Sequence, residues 1–174
     1  AGVRDVVGFE PHSRDGVQHY RDVFGKKHVS FINMGAFFAE SIRHEYPNLV
    51  DDQSPRIIVG SPDGMNKRQD YGIARARSFG EALYAGSSLD GFAGERDFRK
   101  SPYMFGIHKE RISSKETKIV DFHGDVQDKI CIIIDDIISS GSTTLHGARA
   151  LKERGATKVI ALATHGVLVN GAVR

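Results

Sequence analysis

Short β-branched and aliphatic runs alternate along this chain with longer stretches in which apolar positions recur every three or four residues. Runs at 6–9, 29–32, 57–59, 129–134 and 159–163 have strand length, and several are continuously apolar rather than alternating. Continuous runs mark strands covered on both faces. Met34, Phe38 and Ile42 recur every four residues and predict a helix, and Ile73, Ala76, Gly80 and Leu83 share a second helical face. A third helix is predicted over 144–154, with Leu145, Ala148 and Leu151 inward and Gly155 as its stop. Strands that alternate with helices in this way predict right-handed βαβ units. The expected architecture is α/β, a mainly parallel sheet flanked by helices. Ligands of such sheets bind at the carboxyl ends of the strands, which puts Asp63, Asp135 and the turn after Asp136 on the active edge. The stretch 84–104, rich in Gly, Ser, Asp and Arg, breaks the rhythm and is expected to be a long surface loop or insertion.

The 174 residues suffice for one domain with a real core and are too few for two full ones. With 24 basic and 22 acidic side chains the formal charge is +2, too balanced for nucleic-acid binding by bulk attraction. No apolar run approaches the roughly 20 residues of a membrane span, and no secretory signal is visible. The single cysteine, Cys131, excludes an internal disulfide framework and fits a reducing cytoplasm. Its apolar neighbours disfavour a thiolate, so it reads as a small core residue. The chain starts without methionine and ends without a tail, which suggests a fragment of a longer one.

The chemistry concentrates at 131–144: an apolar strand, the acids Asp135 and Asp136, the small-residue turn Ser139, Ser140, Gly141, Ser142 and Thr143, then a helix. Such a turn can wrap a phosphate with backbone N–H groups and hydroxyls, aided by the positive end of the helix dipole. Gly141 permits close backbone approach. Paired carboxylates suit the two hydroxyls of a ribose, because a carboxylate is a strong acceptor. One continuous segment thus has the means to read both a phosphate and a sugar diol. A Walker A loop is a poor alternative, because no Gly-Lys-Ser/Thr follows the turn.

This segment resembles the phosphoribosyl-diphosphate signature of the type I phosphoribosyltransferase fold, a Rossmann-like α/β architecture. Further stretches occur in the order found in ribose-phosphate pyrophosphokinase (phosphoribosyl-diphosphate synthetase): Ala1-Gly2 through His12, Ser61-Pro62-Asp63, Gly72 to Arg77, His108-Lys109-Glu110-Arg111, Gly124-Asp125-Val126 and Ala163-Thr164-His165-Gly166. The resemblance implies an enzyme that transfers the diphosphate of ATP to ribose 5-phosphate with Mg2+, giving phosphoribosyl diphosphate and AMP. It implies that residues 1–27 end a first domain and that 28–174 form most of a second, truncated at its C-terminus. It implies a homo-oligomer, dimer or hexamer, in the cytoplasm, with no nucleic-acid or membrane partner.

The same resemblance assigns roles. Lys109 and Arg111 match the catalytic basic pair, which would stabilise charge developing on the transferred diphosphate. Asp135 and Asp136 match the ribose-hydroxyl acids, and Ser139, Ser140, Gly141, Ser142 and Thr143 the 5-phosphate loop. His12 and Asp63 match positions near ATP and the metal. Glu10 stands where the family usually has aspartate, and Ser139 where its loop usually begins with aspartate. His165 could line the site or serve in packing. Two other readings stay open: a phosphoribosyltransferase that uses phosphoribosyl diphosphate, and a non-catalytic synthetase-associated regulatory subunit.

Overall fold

In the computed structural model residues 2–49, 56–62, 70–85, 98–111, 117–169 and 172 are described. The first strand, β1 (Val6–Phe9), leads into helix α1 (Arg14–Phe24), and β2 (Val29–Ile32) follows. The two strands pair in parallel as a small sheet, in register from Val6 opposite Val29 to Phe9 opposite Ile32. Ser13 caps α1 by accepting from Gly16 N–H at 3.1 Å, and Asp15 in the first turn suits the positive helix end. This helix was not among those predicted. The expected domain boundary at 27/28 falls between the two strands of the small sheet.

Helix α2 (Gly35–Glu45) precedes the main sheet. That sheet contains β3 (Ile57–Ser61), β4 (Met104–Arg111), β5 (Thr117–His123), β6 (Ile130–Ile138) and β7 (Lys158–Gly166) in the order β5-β4-β3-β6-β7. Helices α3 (Asp70–Leu83) and α4 (Ser142–Glu153) complete the α/β fold. All neighbours are parallel except β4 and β5, an antiparallel pair at the edge that the pattern of apolar residues did not predict.

The apolar runs are continuous because both faces of the sheet are covered. Ile57, Val59, Ile132 and Ile134 pack with Phe38 and Ile42 of α2 and Ala76, Phe79 and Leu83 of α3. Ile58, Cys131 and Ile133 turn the other way, onto Phe105, Ile107, Val126 and Leu151. Each fully buried isoleucine contributes roughly 1.5–3 kcal/mol over an exposed one. Cys131 is one of these core residues, and burial pushes its thiol up to about 12. Gly60 is required in the centre of β3, because an added Cβ would lie 2.3 Å from the Phe105 carbonyl oxygen.

The stretch 84–104 is not wholly a surface loop. Tyr84 is buried with its hydroxyl donating to the Ile57 carbonyl at 2.9 Å, and Ser101 and Met104 are buried at the other end. Its middle, 86–97, lies outside the described residues. Among the described residues no helix is long and apolar enough to cross a membrane.

Candidate functional site

Strand β6 runs past the point where the sequence pattern ended it. Asp135 and Asp136 therefore lie within the strand, because β7 is long enough to pair with it as far as Ile138 opposite Gly166. The turn follows, and Gly141 adopts φ +75°, a left-handed conformation that favours glycine, immediately before α4. Leu145 N–H returns to the Gly141 carbonyl at 2.8 Å, the first helical bond. The hydroxyls of Ser140 and Ser142 lie 3.0 Å apart. A helix start leaves its leading N–H groups without intrahelical acceptors, and those of α4 follow directly on this turn.

A cavity of about 820 Å³ opens over this edge. Ser139, Ser140, Gly141, Ser142 and Thr143 line it together with Asp135, Asp136 and His12. Arg14, Tyr71 and Arg75 also line it, with the Arg14 guanidinium 5.9 Å from the centre of the Tyr71 ring. His12 Nδ1 donates to Asp136 Oδ2 at 2.7 Å, across 124 positions of sequence. Asp136 is nearly buried, while the His12 ring is mostly exposed.

Three further contacts organise the acids. Arg75 Nε donates to Glu10 Oε2 at 2.8 Å, both side chains being buried. Its Nη1 lies 3.6 Å from Asp136 Oδ1 and 3.9 Å from Asp135 Oδ1. Glu10 Oε1 accepts from Met34 N–H at 2.7 Å. Neither Glu10 nor Arg75 was assigned a binding or catalytic role from sequence. The available signal was an arginine on the inward side of α3, beside the buried Ala76.

Burial and the adjacent Asp136 carboxylate push Asp135 up to about 7. Burial draws Asp136 upward too, but hydrogen bonds from Asp135 and His12 and the nearby Arg75 guanidinium outweigh it and hold Asp136 below the usual carboxylate range. The pair thus holds a proton more tightly than a lone carboxyl does.

Other expected site residues stand apart or unseen. Lys109 and Arg111 lie in the last part of β4, opposite Ile119 and Thr117 of β5, and only their backbone is described. Because β4, β3 and β6 are parallel, the two basic positions fall on the same edge of the sheet as the acid pair. Asp63 lies outside the described residues. His165 is exposed, and its Nε2 donates to the Phe9 carbonyl at 3.1 Å, joining the end of β7 to the end of β1.

The phosphoribosyl synthetase-associated domain matches residues 52–174 of the chain. The chain is 30% identical over 168 residues to the ribose-phosphate pyrophosphokinase of Clostridium tetani, covering 97% of this chain and 42% of that protein. It is also 30% identical over 179 residues to human phosphoribosyl pyrophosphate synthase-associated protein 1, covering 97% of this chain and 46% of that one. The chain thus spans less than half the length of either relative. In structure it is similar to phosphoribosylpyrophosphate synthetase from Mycobacterium smegmatis, with a TM-score of 0.61 at 24% identity, over 98% of this chain and 44% of that one.

Proposed function

From the membership of this chain in the phosphoribosyl synthetase family, which its sequence matches establish, we propose that the full-length protein is a ribose-phosphate diphosphokinase. It transfers the diphosphate of ATP to O1 of ribose 5-phosphate and releases AMP. The observation that carries this reading is the sharing of one cavity by the acid pair Asp135 and Asp136 and the turn 139–143. The carboxylates accept from the sugar hydroxyls, and the turn with the start of α4 takes the 5-phosphate. Lys109 and Arg111, on the same edge, stabilise the charge of the transferred diphosphate. In this reading residues 28–174 belong to a second domain that follows the end of a first, and the protein works as a homo-oligomer in the cytoplasm.

Mg2+ would accompany ATP. Among the described residues no group of three or more His, Asp, Glu or Cys forms a metal cage. Mg2+ typically takes one or two carboxylates and fills its remaining positions with substrate phosphates and water. His12 at the cavity and Asp63 are the residues proposed to lie nearest it. Bound there, the ion would neutralise charge on the triphosphate.

The match to a synthetase-associated protein at the same 30% identity favours a second reading, a regulatory subunit. Incubating the full-length protein with ATP, ribose 5-phosphate and Mg2+ separates the two. Equimolar AMP and phosphoribosyl diphosphate are expected. Binding of ribose 5-phosphate without AMP formation would refute the diphosphokinase reading in favour of the regulatory one.

A further inference from the structure

The buried pair of Glu10 and Arg75 lies beside the acid pair, and its stability alone does not account for it. Removing two charges from water costs several kcal/mol per ion, and well-packed apolar residues of similar volume often serve a core as well or better. The geometry gives the pair another use. Arg75 commits its Nε to Glu10 at 2.8 Å, while Nη1 stands 3.6 Å and 3.9 Å from the two aspartates. Those spacings exceed a hydrogen bond. The guanidinium therefore acts on the acids as a fixed charge, while Asp135 Oδ1 accepts from the Asp136 N–H at 2.9 Å.

The anchor is itself held. Glu10 has φ +45°, a conformation uncommon for residues other than glycine. Its N–H donates to the Ile32 carbonyl at 3.1 Å, and its second carboxylate oxygen accepts from Met34 N–H at the start of α2. Two residues on, His12 holds the other oxygen of Asp136. Asp136 is thereby fixed from both sides, by His12 at Oδ2 and by Arg75 at Oδ1. An arginine suits this task because its rigid planar fork meets two separate carboxylate groups, whereas lysine presents a point charge on a flexible stem.

We propose that Arg75, oriented by Glu10, is a positioning residue that fixes Asp135 and Asp136 for the sugar diol and thereby sets selectivity for ribose over 2-deoxyribose phosphates. The proposal rests on the ribose-phosphate reading of the cavity. A site built to accept from two hydroxyls rejects a ligand lacking one, because a buried acceptor is left unpaired. Loosening the acids should erode that rejection and leave the phosphate turn untouched.

The test compares the full-length wild type with the double variant Glu10→Gln/Arg75→Met and the single variant Arg75→Lys. The double change removes both buried charges together and avoids an orphaned ion. Calorimetric titration measures ribose 5-phosphate, 2-deoxyribose 5-phosphate and orthophosphate, with circular dichroism as a check on folding. In the double variant ribose 5-phosphate binding should weaken roughly tenfold to a hundredfold. Binding of 2-deoxyribose 5-phosphate should weaken less, so that the ratio of the two constants falls toward one, with orthophosphate unchanged. Arg75→Lys should lower the ratio in the same direction. A folded double variant that keeps the wild-type ratio overturns the proposal. Should the double variant not fold, an unchanged ratio in Arg75→Lys overturns it equally. A wild type that binds ribose 5-phosphate no better than orthophosphate overturns instead the reading of the site on which the proposal stands.

Discussion

Raising the pH from 4 to 8 should destabilise this protein through one side chain, Asp135. Burial and its neighbour lift that carboxyl from an ordinary value of 3.8 to about 7. Between those values the folded state holds a proton that the unfolded state has released. Where the native state binds more protons, stability falls as pH rises. The stabilisation is fully present below about 4 and is lost as pH climbs through about 7. Asp136 is shifted the other way, so its contribution changes below the ordinary carboxylate range and does not overlap this window. The slope is at most about 1.4 kcal/mol per pH unit, which sets a ceiling near ~4 kcal/mol across the window. Asp135→Asn mimics the protonated acid at nearly constant shape. Urea unfolding of wild type and variant at pH 5, 6, 7 and 8 reads the acid pair, because the titrating groups outside it are common to both. The variant should already be the more stable at pH 5, by roughly 1.5 kcal/mol, and its advantage should grow toward the ceiling of about 4 kcal/mol by pH 8. Parallel profiles across the range would show that Asp135 titrates as an ordinary carboxyl and that the pair holds a proton no more tightly than a lone carboxyl does.

Asp136→Asn removes a charged acceptor and should weaken ribose 5-phosphate binding roughly tenfold to a hundredfold while sparing orthophosphate, as measured by calorimetric titration. Gly60→Ala forces a methyl group to within 2.3 Å of the Phe105 carbonyl oxygen. It should cost on the order of 3 kcal/mol in urea unfolding, at the upper end for an overpacked core. In the full-length protein Lys109→Ala should lower kcat and kcat/KM together by roughly two to three powers of ten, with the KM for ribose 5-phosphate little changed. Wild-type turnover in that variant, and in Arg111→Ala, would remove the pair from the catalytic machinery.

What was legible in the sequence was contiguous. The strand at 129–134, the two acids, the small-residue turn and the helix after it occupy one segment, and each announces itself by residue type. The end of the strand did not, because Ile137 and Ile138 are held by pairing with β7 and no local pattern records the length of a neighbour. The edge hairpin was missed for a different reason. Half of β4 is His108, Lys109, Glu110 and Arg111, which reads as a solvated loop, and backbone pairing with β5 overrides that composition. Helix α1 did carry a signal that was passed over, the Ser13 cap with Asp15 behind it and Val17, Tyr20 and Phe24 at helical spacing.

The ion network was not read from the sequence beyond the one signal of an arginine on the inward side of α3, and its chemistry explains why it is assembled from distant parts. Two carboxylates on successive residues repel one another, which favours a proton held by the pair. A sugar site needs them close together, with lone pairs facing the ligand. A cation that hydrogen-bonded them directly would consume those lone pairs. The relief must come from a charge held just beyond hydrogen-bonding distance, and a charge so placed needs its own anchor. Arg75 on α3 supplies the charge, and Glu10, 65 positions earlier at the end of β1, supplies the anchor. The cation and its anchor come from other elements, because Arg75 lies on α3 and Glu10 follows β1. The acids belong to one element, the cation to a second and the anchor to a third, so the arrangement exists only once the small sheet and the main sheet have come together.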